Sequence, residues 1–320
     1  NAFYDGSVGE QLMTATAGII HTTDLATSQA EWIQPISIDV MGRTGWTIPP
    51  NSQGFLTLAA AWLFEQLDPP HDPEDPRFTH AAIEAYRAVA WERDGLVADP
   101  DHAPLPPELL LDPARLRKRG GHISMTQRAE WPDPPPAPGG TAFLCVRDSA
   151  GMGISLIQSN FHGIGSGRSA GGTGVFLHNR GAGFTVEADH PNELVPGRRP
   201  LHTLSPTLWT DDSGLRALLG TRGGQYQPQL LLQVATNLWR HGMDPGAAQA
   251  AARWIADGWG PEDPSRLQVE GRMPLAIRDG LEARGHHVHR AADWEPGWGP
   301  VSIILKDGTS DTMSRSRREA

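Results

Sequence analysis

Apolar positions early in the chain recur at helical spacing. The run Phe55-Leu56-Thr57-Leu58-Ala59-Ala60-Ala61-Trp62-Leu63-Phe64, entered through Ser52-Gln53-Gly54, predicts an apolar helix. From Pro76 to Asp94 the residues Ala82, Tyr86, Val89 and Ala90 share one helix face and predict a second. The first part of the chain therefore reads as helical. The segment Pro132-Asp133-Pro134-Pro135-Pro136-Ala137-Pro138-Gly139-Gly140 breaks the pattern. It can be neither helix nor central strand, and reads as an exposed connector. Beyond it the texture becomes that of strands. Thr141–Val146 and Gly153–Asn160 read as a strand pair around an Asp148-Ser149-Ala150-Gly151 turn. A glycine-rich loop from Gly163 to Gly174 leads to a short strand at Val175–Leu177, then a hairpin at Pro206–Trp209 and Leu215–Gly220. Helices follow at Gln227–Arg240, from Asp244-Pro245 with its cap and first-turn proline, and at Met273–Arg284. A last strand is predicted at Val301–Leu305. Helices, then strands, then helices suggest sheets covered on both sides in one intertwined domain.

Composition narrows the function. At 320 residues with 38% hydrophobic and 20% charged residues, the chain can build a packed core and is not a disordered polymer. The formal charge of −10 argues against sequence-independent nucleic-acid binding, which needs a basic face. No stretch approaches the roughly 20 apolar residues of a membrane helix. One cysteine, Cys145, excludes an internal disulfide and a cysteine zinc cluster, but leaves the compartment open. Asn1 opens the chain in mid-pattern, which reads as a processed or trimmed start.

The chemistry concentrates at Gly140-Thr141, where a threonine follows a glycine-ended connector and begins an apolar strand. Cleavage there would make Thr141 an N-terminal residue, with its hydroxyl as nucleophile and its own α-amine as base. An α-amine titrates near 7.7–8.0, so much of it is neutral at working pH. Gly140, lacking a Cβ, leaves its carbonyl open to attack. On these local features alone, a plain linker meeting a strand is the simpler reading.

Wider motifs add weight to the first. Thr141 is followed by Val146-x-Asp148, and a second hydroxyl comes at Ser159. A glycine-rich segment closes on Gly174-x-x-Leu177-x-Asn179. The run Pro196-Gly197-Arg198-Arg199-Pro200-Leu201-His202-Thr203-Leu204-Ser205-Pro206-Thr207 follows, and Gly223-Gly224 precedes the helix at Gln227. The chain ends on an arginine-rich Ser314–Arg318. Upstream, Phe3-Tyr4-x-Gly6, Thr23-Asp24-Leu25 and Pro49-Pro50-Asn51-Ser52-Gln53-Gly54 fit the same pattern. Over nearly its whole length the chain thus resembles the γ-glutamyltranspeptidase family of N-terminal nucleophile hydrolases. The resemblance implies an α+β fold, a four-layer αββα sandwich. It also implies a precursor that cuts itself between Gly140 and Thr141. Segment 1–140 would be the end of a large subunit, segment 141–320 a small subunit, and the two would stay associated.

By the same resemblance Thr141 is the nucleophile, Ser159 orients its hydroxyl, and Gly223 and Gly224 present N–H groups to the oxyanion. His202 and Thr203 stand where the family has paired serines that bind the substrate carboxylate. Arg180 replaces an amide or carboxylate, and Gly183 replaces the acid that binds the substrate α-amine. Ala142 and Phe143 replace a small polar residue and a histidine. These departures disfavour an ammonium group and leave three readings open. One is γ-glutamyl transfer or hydrolysis, a second is an acylase for dicarboxylic or aromatic acyl amides, and the third is an unprocessed binding or scaffold protein. The expected partner is a small acyl amide, with no cofactor, metal, nucleic acid or membrane. His286-His287-x-His289 reads as a solvated connector, Arg115–Arg119 as a solvated helix end, and Gly163-x-Gly165-x-Gly167 lacks the context of a dinucleotide site. Gly153-x-Ser155 lacks the closing glycine of a nucleophile elbow.

Overall fold

The computed structural model describes residues 3–131, 140–256, 266–307 and 310–314. The connector at 132–139 and the arginine-rich end at 315–318 lie outside them. Helices α1 (Ser7–Ala15) and α2 (Thr22–Ala26) precede a hairpin of β1 (Ile36–Val40) and β2 (Arg43–Thr47). Four helices follow: α3 (Phe55–Gln66), α4 (Pro76–Ala90), α5 (Arg93–Leu96) and α6 (Pro113–Gly120). Next come the hairpins β3 (Gly140–Arg147) with β4 (Gly153–Phe161), and β5 (Thr207–Asp211) with β6 (Gly214–Thr221). The chain continues through α7 (Gln227–Trp239), α8 (Pro245–Ala250), β7 (Trp254–Ala256), β8 (Arg266–Val269), α9 (Leu275–Glu282), β9 (His287–Arg290), β10 (Val301–Asp307) and β11 (Ser310–Ser314).

Local chemistry sets several boundaries. Asp75 accepts from the Arg77 amide with Pro76 in the first turn, and Asp244 caps α8 in the same way before Pro245. Helix α3 is buried from Phe55 through Phe64, so its lack of a polar face reflects its place in the core.

One six-stranded antiparallel sheet runs β1-β2-β5-β6-β10-β11. Its β1 and β2 precede Thr141 and the rest follow it. The join is the pairing of Thr44–Thr47 with Thr207–Thr210. Helices α3 and α7 pack on one face, and the two-stranded β3–β4 sheet packs on the other, against β6 and β10. The sandwich is tight. A Cβ on Gly220 of β6 would lie 1.9 Å from the Phe143 ring, and one on Gly153 would meet Leu215 and Leu218. Covered on both faces, β6 is buried continuously from Ala217 to Thr221. The outer face of the β3–β4 hairpin is open, and Leu144, Val146, Ile154 and Leu156 are each close to half exposed.

Two sequence expectations need correction. The first part is not simply helical, because Ile36-Ser37-Ile38-Asp39-Val40 alternates buried and exposed and forms β1. The return into β2 is a Met41-Gly42 turn with φ of 52° and 68°, the left-handed geometry of a tight hairpin. Val175–Leu177 forms no strand. Phe176 makes only an isolated bridge to Ser169, and the flanking Gly171 and Gly174 both have positive φ, which breaks an extended run.

Candidate active site

The strand register aims Thr141. Gly140 lies opposite Phe161 and Ala142 opposite Gln158, so Thr141 faces two residues, Ser159 and Asn160. Such a bulge re-aims side chains at the end of a ladder. It ends on Phe161, whose φ of 78° is rare for an aromatic residue. Thr141, Ser159 and Asn160 all line an open cavity of about 410 Å3, together with Gly163, Ile164 and Phe176. The Ser159 hydroxyl accepts from the Phe161 amide at 2.9 Å.

The Thr141 hydroxyl accepts from Gln227 Nε2 at 3.4 Å, while Gln227 Oε1 takes the Ser205 amide at 3.0 Å. Gln227 is fully buried at the start of α7, so its side chain ties the strand end to the Pro196–Thr207 segment. A second buried amide acts in parallel. Gln53 Nε2 donates to the carbonyls of Thr203 and Gly224, at 2.8 and 3.0 Å. The same upstream segment zips onto the loop after Pro200: Asn51 donates to Pro200 O, His202 N donates to Asn51 O, and Gln53 N donates to His202 O.

Gly223 and Gly224 adopt φ of 129° and 54°, a turn that a side chain would strain. Gln53 fixes the Gly224 carbonyl and Tyr226 N donates to the Gly223 carbonyl, while no described residue accepts from either glycine amide. The turn therefore offers two donors beside the segment that Gln227 links to Thr141.

Arg180, Thr203 and His202 form a second group. Arg180 is buried, its Nη1 lies 3.3 Å from Thr203 Oγ1, and its guanidinium sits over the Phe161 ring at 4.4 Å. Burial pushes the Arg180 pKa down to about 10. His202 Nδ1 lies 3.3 Å from Ser52 Oγ, and burial, then Arg180 and His178, push its pKa down to about 4. It is a neutral imidazole at neutral pH.

Sequence reasoning selected the hydroxyls, the glycine pair and Arg180; the structure puts Thr141 and Ser159 in one cavity, Arg180 against Phe161 at the end of the same hairpin, and Gly224 on the Gln53 amide that also holds Thr203. It passed over Gln227, which carries no motif signal beyond opening a helix, and it quoted Gln53 without giving it a role. The histidine run is also corrected. His287 and His289 are exposed, but His286 is buried, with Nε2 2.9 Å from His80 Nδ1 and 3.9 Å from Glu84 Oε1. The basic run is not simply solvated either, since Arg115 and Arg119 both pair with Glu92.

Known proteins resemble this chain over nearly its whole length. The family model for gamma-glutamyltranspeptidase matches residues 1–320. The glutathione hydrolase-like YwrD proenzyme of Bacillus subtilis is 31% identical over 96% of this chain and 59% of its own length. The oxamate amidohydrolase proenzyme of Klebsiella pneumoniae is 30% identical over 98% of this chain and 61% of its own. The chain thus spans about three-fifths of these relatives. Among solved structures, cephalosporin acylase from Bacillus halodurans superposes with a TM-score of 0.86 at 32% identity, over 98% of this chain and 56% of that one. The fold is that of the N-terminal nucleophile hydrolases, and the chain belongs to the γ-glutamyltranspeptidase family.

Proposed function

We propose that the protein is a self-processing amide hydrolase or acyltransferase working through Thr141. In maturation, the Thr141 hydroxyl adds to the Gly140 carbonyl and converts the peptide link to an ester. The C–N bond breaks in that shift and frees the Thr141 α-amine, and water then cleaves the ester to release the Gly140 carboxylate and the Thr141 hydroxyl. In turnover, that amine takes the hydroxyl proton as Oγ bonds to the substrate carbonyl. The amides of Gly223 and Gly224 stabilise the oxyanion, a contribution of about 3 kcal/mol per donor in comparable sites. The C–N bond breaks, the leaving amine takes up the proton, and an acyl ester remains on Oγ. Water, or an acceptor amine, adds to the ester and restores Thr141. Ser159 orients the hydroxyl.

One observation carries the reading: Thr141 faces a bulge at the mouth of a cavity, its hydroxyl hydrogen-bonded to a buried amide that also grips the loop before β5. The association of segments 1–140 and 141–320 after cleavage rests on the β2–β5 ladder. Supporting the chemistry, the relatives named above are called proenzymes of a glutathione hydrolase-like and an amidohydrolase type.

The deciding experiment is a denaturing gel with N-terminal sequencing, followed by assay on chromogenic anilides. The expected result is a new chain starting Thr-Ala-Phe-Leu and turnover that T141A abolishes together with cleavage. A single intact band without turnover overturns the reading in favour of a scaffold. A second reading, an acylase for non-glutamyl groups, is favoured over γ-glutamyl chemistry by one feature. Arg180 is buried where the family has an amide or carboxylate, and Gly183 packs against Leu201 where the family has an acid.

A further inference from the structure

A second group of chemistry-bearing side chains shares no residue with the lining of the Thr141 cavity. His80 and Glu84 stand four residues apart on α4, which puts them one turn apart on the same face. His286 meets them from the turn between α9 and β9. Gly285 enters that turn at φ 87°, and His286 N donates to Leu281 O. One nitrogen of each histidine and one oxygen of Glu84 lie within 4.8 Å of one another, and all three residues are buried.

Backbone contacts orient two of the three. His80 Nε2 lies 2.8 Å from Ser124 O, and a carbonyl only accepts, so Nε2 carries the proton and Nδ1 turns a lone pair to the cluster. Glu84 Oε2 accepts from Ala129 N at 2.9 Å, while its buried Oε1 has no hydrogen-bond partner among the described residues. His286 Nε2 lies 2.9 Å from His80 Nδ1 and 3.9 Å from Glu84 Oε1. His286 Nδ1 also has no partner among them, so no bond made there opposes the tautomer that bares Nε2. A hydrogen bond between the two rings satisfies His80 Nδ1 but leaves Glu84 Oε1 unfilled. An outer atom held by backbone and a bare inner atom are how metal ligands are presented. Arg87 Nε is 3.9 Å from Glu84 Oε1, and Arg128 and Arg284 add positive charge around the cluster. Such surroundings serve poorly a hard dication held by charge alone. Two imidazoles and one carboxylate suit zinc or a neighbour in the first transition row.

We propose that His80, Glu84 and His286 form a binding site for one zinc ion or a similar transition-metal ion. Bonds of about 2.0–2.1 Å at tetrahedral angles set the two nitrogens about 3.3 Å apart, so the rings part by a few tenths of an ångström as the ion enters. A water completes the four ligands. His80 and Glu84 belong to segment 1–140 and His286 to segment 141–320, so the ion clasps the two. Metal binding does not rest on the Thr141 reading; only a clasp between separate chains does.

The test uses the untagged full chain, stripped with EDTA and titrated with zinc chloride by calorimetry. One zinc per chain should bind with micromolar affinity or better and raise the thermal midpoint, while magnesium does neither. E84Q, which keeps an acceptor for Ala129 N, should weaken zinc binding at least about tenfold, and H286F should abolish it. His287 and His289 are exposed and could bind metal at the surface, so H287A/H289A is the control and should bind zinc as the unaltered chain does. Cobalt on the unaltered chain should show the visible d–d bands of a four-coordinate ion. Failure to bind zinc overturns the site, as do unchanged binding by E84Q, the pale bands of six-coordinate cobalt, or binding lost in H287A/H289A but kept in H286F. If H286F fails to fold, E84Q, H287A/H289A and the cobalt spectrum still decide. Zinc binding by a chain that never cleaves at Thr141 leaves the site standing and removes the Thr141 reading.

Discussion

Gln227 shows how much of the site depends on a residue with no chemical role of its own. Its carboxamide bonds Ser205 N and Thr141 Oγ1 from full burial. Replacing it with leucine keeps the volume but leaves the buried Ser205 amide without an acceptor, at a cost of about 1–3 kcal/mol. We expect Q227L to unfold at lower urea and to lose kcat more than KM, checked by urea titration and anilide kinetics. Gly223 is sensitive for a different reason. At φ 129° an alanine is strained by roughly 1–3 kcal/mol and would turn the amide away from the oxyanion. G223A should therefore reduce kcat while leaving self-assembly of the fold intact by circular dichroism. Thr141 and the glycine pair could be picked out in the sequence as residues, through motifs that resemble a known family. Gln227 could not, since its role exists only once α7 and β3 meet.

At the scale of elements, the β3–β4 hairpin that carries Thr141 meets the main sheet through one close approach. The Phe143 ring occupies the space over Gly220. G220A would push the hairpin away from β6, and overpacking of this kind costs about 1–3 kcal/mol. The expected outcome is a lower thermal midpoint and slowed cleavage at Thr141, both partly restored by F143L in the same chain. The hairpin was readable from its period-two pattern, as were α3, α4 and α7. The β1–β2 hairpin was missed because short strands among helices carry few repeats of their period, and β7, β8 and β9 are three or four residues each. The supposed strand at Val175–Leu177 had the apolar residues, but its antiparallel pairing with Arg168–Ala170 stops at one bridge because Gly171 and Gly174 turn the chain.

For the whole molecule, the shared sheet predicts that segments 1–140 and 141–320 co-elute in gel filtration after cleavage and separate only under denaturing conditions. Dissociation at neutral pH without denaturant would contradict it. The buried histidines predict an acid dependence of stability. Burial first, and neighbouring positive groups second, hold His202 down at about 4 and His286 at about 2, from an ordinary value of 6.5. His80 is also lowered by burial. The folded state then binds fewer protons than the unfolded one below pH 6.5, so stability present above that pH is lost as pH falls toward 4. Burial raises Glu84, which works in the opposite direction as a single group against three imidazoles. The thermal midpoint should fall between pH 7 and pH 5. H286F should flatten that slope, read by differential scanning calorimetry.

What the sequence alone determined is the set of groups available for chemistry and the order in which they occur: a threonine after glycine, a later serine, an arginine after Asn179 and a glycine pair. Side-chain identity and short spacing suffice for that, because hydroxyl nucleophilicity and glycine's conformational freedom are local properties. Only the tertiary structure decided that Thr141 faces a bulge, that Gln53 joins the two segments and Gln227 ties Thr141 to the loop before β5, and that Arg180 is buried with no described carboxylate beside it. Register, burial and charge pairing depend on residues far apart in the chain, and no local pattern records them.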